Sequence, residues 1–205
     1  ETLHWFKWEA YFTWVTGAAL LVLIYYLQAD IYLVDPAVAR IGRGWAIAIG
    51  LVTLFGGWWV YHLLCKSPLG ARPVALAVVG FVLATAVSFG LTQVLSSRAA
   101  YIHVGAMIGT IMANKVLQVI IPSPQRMVDA MKQGQPPNAE EGKQAALRSL
   151  HNNYLTLPVL FIMISNHYPV TYGHAWNWAI LAAISVIGAG IRHWFNLRNQ
   201  GRRSV

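Results

Sequence analysis

The run Val74 to Leu95 reads VALAVVGFVLATAVSFGLTQVL and holds no charged residue. As one helix rising 1.5 Å per residue, it is long enough to cross the ~30 Å hydrocarbon core of a bilayer. Five more runs pass the same length test: Tyr11 to Leu33, Trp45 to Leu64, Tyr101 to Ile121, Leu150 to Tyr168 and His174 to Phe195. Tyr11, Trp45, Tyr61, Tyr101 and Trp194 stand near run ends, where amphipathic rings favour the headgroup region. The sequence therefore predicts an all-α fold, a polytopic membrane helix bundle of about six transmembrane helices. It forms a single transmembrane domain over residues 1–205, with the lipid bilayer as its first partner. Gln28 and Asp30 put the last turns of the first run at an interface or in a protein groove.

Composition points the same way. With 57% hydrophobic and 11% charged residues and a mean hydropathy of +0.49, the chain is too apolar for a soluble domain. Its net charge of +8 could suggest nucleic acid, but the basic residues fall between apolar runs instead of lining one face, so no nucleic-acid partner is expected. They read as topology signals. Lys7, Lys66, Arg72, Arg126, Lys132, Lys143, Arg148, Arg192, Arg198, Arg202 and Arg203 share one side, against Arg40, Arg43 and Arg98 on the other, which puts both ends of the segment in the cytoplasm. The single cysteine, Cys65, excludes an internal disulfide. The chain opens on Glu1 with no signal-peptide pattern and reads as part of a longer polypeptide.

One connection is long. Residues 122–148, PSPQRMVDAMKQGQPPNAEEGKQAALR, are polar and punctuated by Pro122, Pro124, Pro136 and Pro137, predicting a cytoplasmic loop with two short helical pieces. A solvated connector and a docking or substrate role are both open for it. Glu140 and Glu141 within it read as a solvated face.

The candidate chemistry lies in the polar residues at membrane depth, which are costly there and tend to be functional. In the fourth run, His103, Met107, Thr110, Asn114 and Gln118 recur at helical spacing along one stripe, with Gly105 and Gly109 as a GxxxG pair on a neighbouring face. Helix packing with interhelical hydrogen bonds explains the stripe as readily as a site does. Lys115 needs a partner or must snorkel toward the cytoplasm. The fifth run is polar at both ends, with His151, Asn152 and Asn153 at one and Ser165, Asn166 and His167 at the other, and Pro158 predicts a kink between them. Two imidazoles from different helices could ligate a haem iron. By membrane side the candidate ligand pairs are His103 with His167 and His62 with His151. His4, His174 and His193 complete the set of seven histidines. No GxxxxGK, CxxCH, HExxH or GxSxG pattern is present.

The stretches LHWFKWEAYFTW (Leu3 to Trp14), HVGAMIGTIMANKV (His103 to Val116), LHNNYLTLPVLFIMISNHYP (Leu150 to Pro169) and IRHWFNLRNQGR (Ile191 to Arg202) resemble the membrane domain of cytochrome c-linked urate oxidase, also called urate hydroxylase. The resemblance runs through the whole chain. It implies about eight spanning helices in the full protein, of which this chain is similar to the second to seventh, and often a following cytochrome c domain carrying CxxCH. It implies a bacterial inner (plasma) membrane location and a part in purine catabolism.

The leading expectation is then an enzyme, a membrane-bound urate oxidase or hydroxylase that passes two electrons outward to a c-type cytochrome domain or subunit. Gln125 and Arg126, with Asn152 and Asn153, are the candidate substrate-binding residues, since cationic forks and amides suit a flat anion. His103, His151 and His167 are the candidates for redox ligation or proton relay, with Asn114 and Lys115 as further polar candidates. Haem b is the possible cofactor here, with haem c in a separate domain. Two alternatives stand beside it: a noncatalytic accessory subunit packed against other membrane subunits of an electron-transfer complex, and a urate permease.

Overall fold

The computed structural model of the protein describes residues 2–201. Arg202 and Arg203 of the charge count lie outside the described residues, as does the side chain of His4. Among the described residues all regular structure is helical. Helix α1 (Thr2–Leu21) runs through a π-turn (Val22–Tyr26) toward the short α2 (Ala29–Tyr32). Then come α3 (Arg43–Lys66), a 3-10 turn (Pro68–Ala71), α4 (Pro73–Thr92) and α5 (Ser97–Lys115), which continues as a second π-turn (Val116–Ile120). The chain closes with α6 (Pro122–Lys132), α7 (Ala139–Ser165), α8 (Pro169–Tyr172) and α9 (Asn177–Gly201).

The helix starts follow from local chemistry. Pro73, Pro122 and Pro169 occupy first-turn positions, where a missing N–H costs nothing and φ is already set. Ser96 caps α5 by accepting from the Ala99 N–H, and Asn138 caps α7 by accepting from Glu140, whose own charge and that of Glu141 suit a helix N-terminus. Helix α6 ends where Gly134 adopts φ +72°, the left-handed stop that glycine takes without penalty.

Among the described residues five segments are long and apolar enough to cross a membrane: Lys7–Tyr26, Arg43–Lys66, Pro73–Thr92, Ser97–Lys132 and Asn177–Asn199. Helix α5 is the hub. Half of its apolar window is buried inside the protein, against 11–17% for the other four, and it packs on α1, α3, α4 and α7. The other helices turn Val74, Val78, Val82, Phe89, Val186 and Ile187 outward, a surface suited to lipid. The expected sixth span, in α7, has the length but not the apolarity, because His151, Asn152 and Asn153 stand in its middle.

Other boundaries moved as well. The first helix begins at Thr2 instead of Tyr11, drawing the Trp-rich start into α1. The predicted loop at 122–148 is nearly all helix: α6 continues from the π-turn and packs on α7, whose first three turns supply the second helical piece. Only 133–138 is bare connection. Of the GxxxG pair, Gly105 meets Ile162 and Met163 of α7, whereas Gly109 faces open space. A closer crossing lies elsewhere: Gly188 of α9 sits against the backbone of Pro158 in α7.

Candidate functional site

His103 sits in the middle of the core with 0% exposure. Its Nδ1 lies 2.8 Å from the Ala99 carbonyl one turn back, and a carbonyl only accepts, so Nδ1 carries the proton. Nε2 is left to accept from the Tyr26 hydroxyl at 3.2 Å. A Cβ at Gly50 of α3 would stand 2.7 Å from that same Nε2, so the glycine admits the ring and the ring fills the space. Along the same stripe Thr110 accepts from Trp14 Nε1, and Asn114 donates to the Thr110 carbonyl while accepting from Gln118. From His103 to Gln118, the stripe ties α5 to its neighbours and to itself.

At the other end of α5 the polar groups are not all satisfied. Here the ends of α3 and α5 meet α6 and the first half of α7 around an open cavity of about 730 Å³, lined by His62, Cys65, Ser123, Arg126, Glu141 and Arg148 among others. This volume is within the usual range for small-molecule sites. Arg126 closes one edge, its Nε donating to Glu141 at 2.8 Å and its Nη2 to Ser123 Oγ at 3.1 Å. Beneath lies Tyr61. The Lys115 amine stands 4.2 Å from the centre of its ring and the Arg148 guanidinium 5.3 Å, while its hydroxyl is 2.7 Å from His151 Nδ1. Lys115 is 3% exposed and Arg148 4%. Lys115 Nζ, Arg148 Nε and the Asn152 side-chain oxygen are buried without a hydrogen-bond partner, and no carboxylate pairs with either cation among the described residues.

Asn152 is held in place by its other end, Nδ2 donating to the Met112 carbonyl at 3.1 Å. Met112 lies one turn before Lys115, so this bond brings the free oxygen of Asn152 alongside the α5 terminus. Arg148, His151 and Asn152 are spaced i, i+3, i+4 and share one face of α7.

The predicted site residues therefore separate. Asn153 turns away from Asn152 to α9, where its Oδ1 accepts from Arg192 and Asn196, both at 2.9 Å; Tyr154 bonds His193 on the same side. Gln125 is exposed, and Arg126 stands at the cavity edge. His167 is exposed near the far end of α7, where its neighbour Asn166 accepts from Arg98.

The pair built on His103 does not form a haem slot. His103 has both nitrogens engaged and no water-sized space at its ring, so the residues around it do not fit a haem. His62 stacks on Trp58 at 5.1 Å between centroids, and His151 Nδ1 is engaged by the Tyr61 hydroxyl.

Sequence reasoning missed Tyr61, taken only as an interface ring, and Arg148, counted only as a loop charge. The i, i+3, i+4 spacing of Arg148 with His151 and Asn152 was a usable signal once α7 is seen to start at Ala139. An apolar groove of about 300 Å³ between α7 and α9, lined by Phe161, Ile164, Tyr168 and Ile187 among others, carries no charged group and suits a lipid chain better than an ionic substrate.

A family model described as urate oxidase N-terminal matches residues 1–205. No curated protein and no solved structure matches the chain.

Proposed function

The chain belongs to the urate oxidase N-terminal family, and from that premise we propose that it is the membrane-embedded part of a urate-oxidising oxidoreductase whose electrons pass to a c-type cytochrome. The observation that carries this reading is the family match over the whole chain, alongside five helices able to cross a membrane. Conversion of urate to a hydroxylated product takes one oxygen from water and releases two protons and two electrons. The new C–O bond forms from water, the protons go to a base and then to solvent, and two one-electron acceptors each take an electron.

On this reading the chain supplies binding, orientation and the base. His151 is the proposed proton acceptor: its Nδ1 is fixed by Tyr61, and its Nε2 makes no hydrogen bond among the described residues. The side holding 133–138 is the proposed cytoplasmic side, so the substrate cavity opens inward. The proposed bacterial inner-membrane setting then lets electrons leave on the opposite face, where a c-type cytochrome with its own haem receives them.

The test is urate loss in membranes containing the protein. Urate should disappear when ferricytochrome c is supplied, and membranes lacking the protein should leave it intact. Urate stable in both would overturn the reading.

A further inference from the structure

A buried charge without a partner needs a reason. Removing an ammonium or guanidinium from water costs several kcal/mol, which only a well-placed and fully hydrogen-bonded partner offsets. Among the described residues Lys115 and Arg148 share the ring of Tyr61, with Lys115 Nζ and Arg148 Nε unpartnered, and a desolvated cation–π contact gives back about 2 kcal/mol. Their like charges, gathered on one ring, add repulsion. A lysine this close to a helix end could extend to the membrane surface, yet its amine is turned inward and covered. That same burial keeps a lipid phosphate on the outer surface of the bundle away from it. Beside these unmet donors stands one unmet acceptor, the Asn152 oxygen, pinned through its amide nitrogen.

We propose that Lys115, Arg148 and the Asn152 side-chain oxygen, of which Arg148 lines the cavity and the other two lie covered behind it, form a binding site for a planar organic anion bearing ring N–H groups. Arg148 is the cavity-side cation and Lys115 the deeper one. The anion satisfies both, and a ring N–H of the same molecule donates to Asn152. An inorganic anion with no proton to donate would leave that oxygen unmet, whereas a heterocycle carrying donors and negative charge on one edge would meet all three groups. Resting on the reading above, the heterocycle is the urate monoanion, and the site brings it beside His151.

The experiment uses the full chain in detergent or native membranes, with Lys115→Gln, Arg148→Gln and, as a charge-matched control, Lys132→Gln. Lys132 is exposed and paired with Asp129. Two readouts are taken: the KM for urate in cytochrome c reduction, and the shift in melting temperature that urate produces when no electron acceptor is present. Either core substitution should raise KM about tenfold or more, the usual scale for a charge-assisted hydrogen bond, and should abolish the urate shift. Each should also raise the melting temperature of the ligand-free protein, because an unpaired buried charge has been removed; a merely structural cation would lower it. Lys132→Gln should do none of this.

Unchanged KM and an unchanged urate shift in both core variants overturn the site while leaving urate oxidation standing. If the wild type oxidises no urate but is stabilised by it, and the variants are not, the site stands and the oxidase reading falls. A wild type that urate neither stabilises nor reacts with overturns the site.

Discussion

The α7–α9 crossing offers a quantitative test of the fold that also reaches the site. A methyl group added at Gly188 would stand 2.9 Å from Pro158 N, 3.1 Å from Pro158 Cδ and 3.2 Å from the Leu157 carbonyl carbon. Carbon contacts relax at about 3.5–4.0 Å, and the obstacles are backbone and a rigid ring, so no rotamer change relieves them. The helices must part by several tenths of an ångström. Overpacking of this kind costs about 1–3 kcal/mol, and the better helix propensity of alanine offsets about 0.5–1 kcal/mol of it. Gly190, two residues further along α9, has no heavy atom within 4 Å of its would-be Cβ. Gly190→Ala should therefore stabilise by about 0.5–1 kcal/mol. The two alanine variants should differ by about 2 kcal/mol, or roughly 4–8 °C in melting temperature for a chain of this size. Thermal unfolding in detergent reads the gap directly. Equal melting temperatures for Gly188→Ala and Gly190→Ala would refute the close crossing, and with it the placement of α9 that holds Arg192 and Asn196 on Asn153.

Three further outcomes follow from the same geometry. His103→Leu should lower stability by about 1–3 kcal/mol, because it strands the Tyr26 hydroxyl in the core, and absorption spectra of wild type and variant should carry the same haem signature or lack of it; loss of a haem band in the variant would contradict the packing described. Asn153→Ala should melt below the wild type by a few degrees, since it frees Arg192 and Asn196 together; an unchanged melting temperature would show that this α7–α9 network carries no weight. In intact cells an impermeant maleimide should label Arg40→Cys and leave Gln135→Cys unlabelled until lysis, against a low background because Cys65 is buried; the reverse pattern would invert the proposed orientation.

Much of the fold was legible because the bilayer test depends only on length and apolarity, and Val74 to Leu95 passes it without reference to any neighbour. The segment around α7 was harder. Its polar first half reads as loop by hydropathy, yet Asn138 and the two glutamates after it are a helix start, and the apolar half then inherits a helix already under way. That extension is what carries Arg148 from a counted surface charge to the floor of a cavity. The candidate site was legible only in part. Lys115 was singled out as a charge needing a partner, and Asn152 as an amide suited to an anion, but which face of α7 meets α5 is a property of packing, and it parts Asn152 from its neighbour Asn153. His103 shows the converse: a lone histidine at membrane depth suggests chemistry, and only the glycine opposite it on α3 reveals a ring filling a packing space.

In the proposed reaction electrons leave urate in pairs and reach cytochrome c one at a time. In membranes containing the protein, urate loss and ferricytochrome c reduction should be followed together from the same sample. The account requires two cytochromes reduced for each urate consumed, with neither process running when the other reactant is left out. Urate consumption that proceeds without cytochrome reduction, or urate uptake into vesicles with no oxidation, would contradict it.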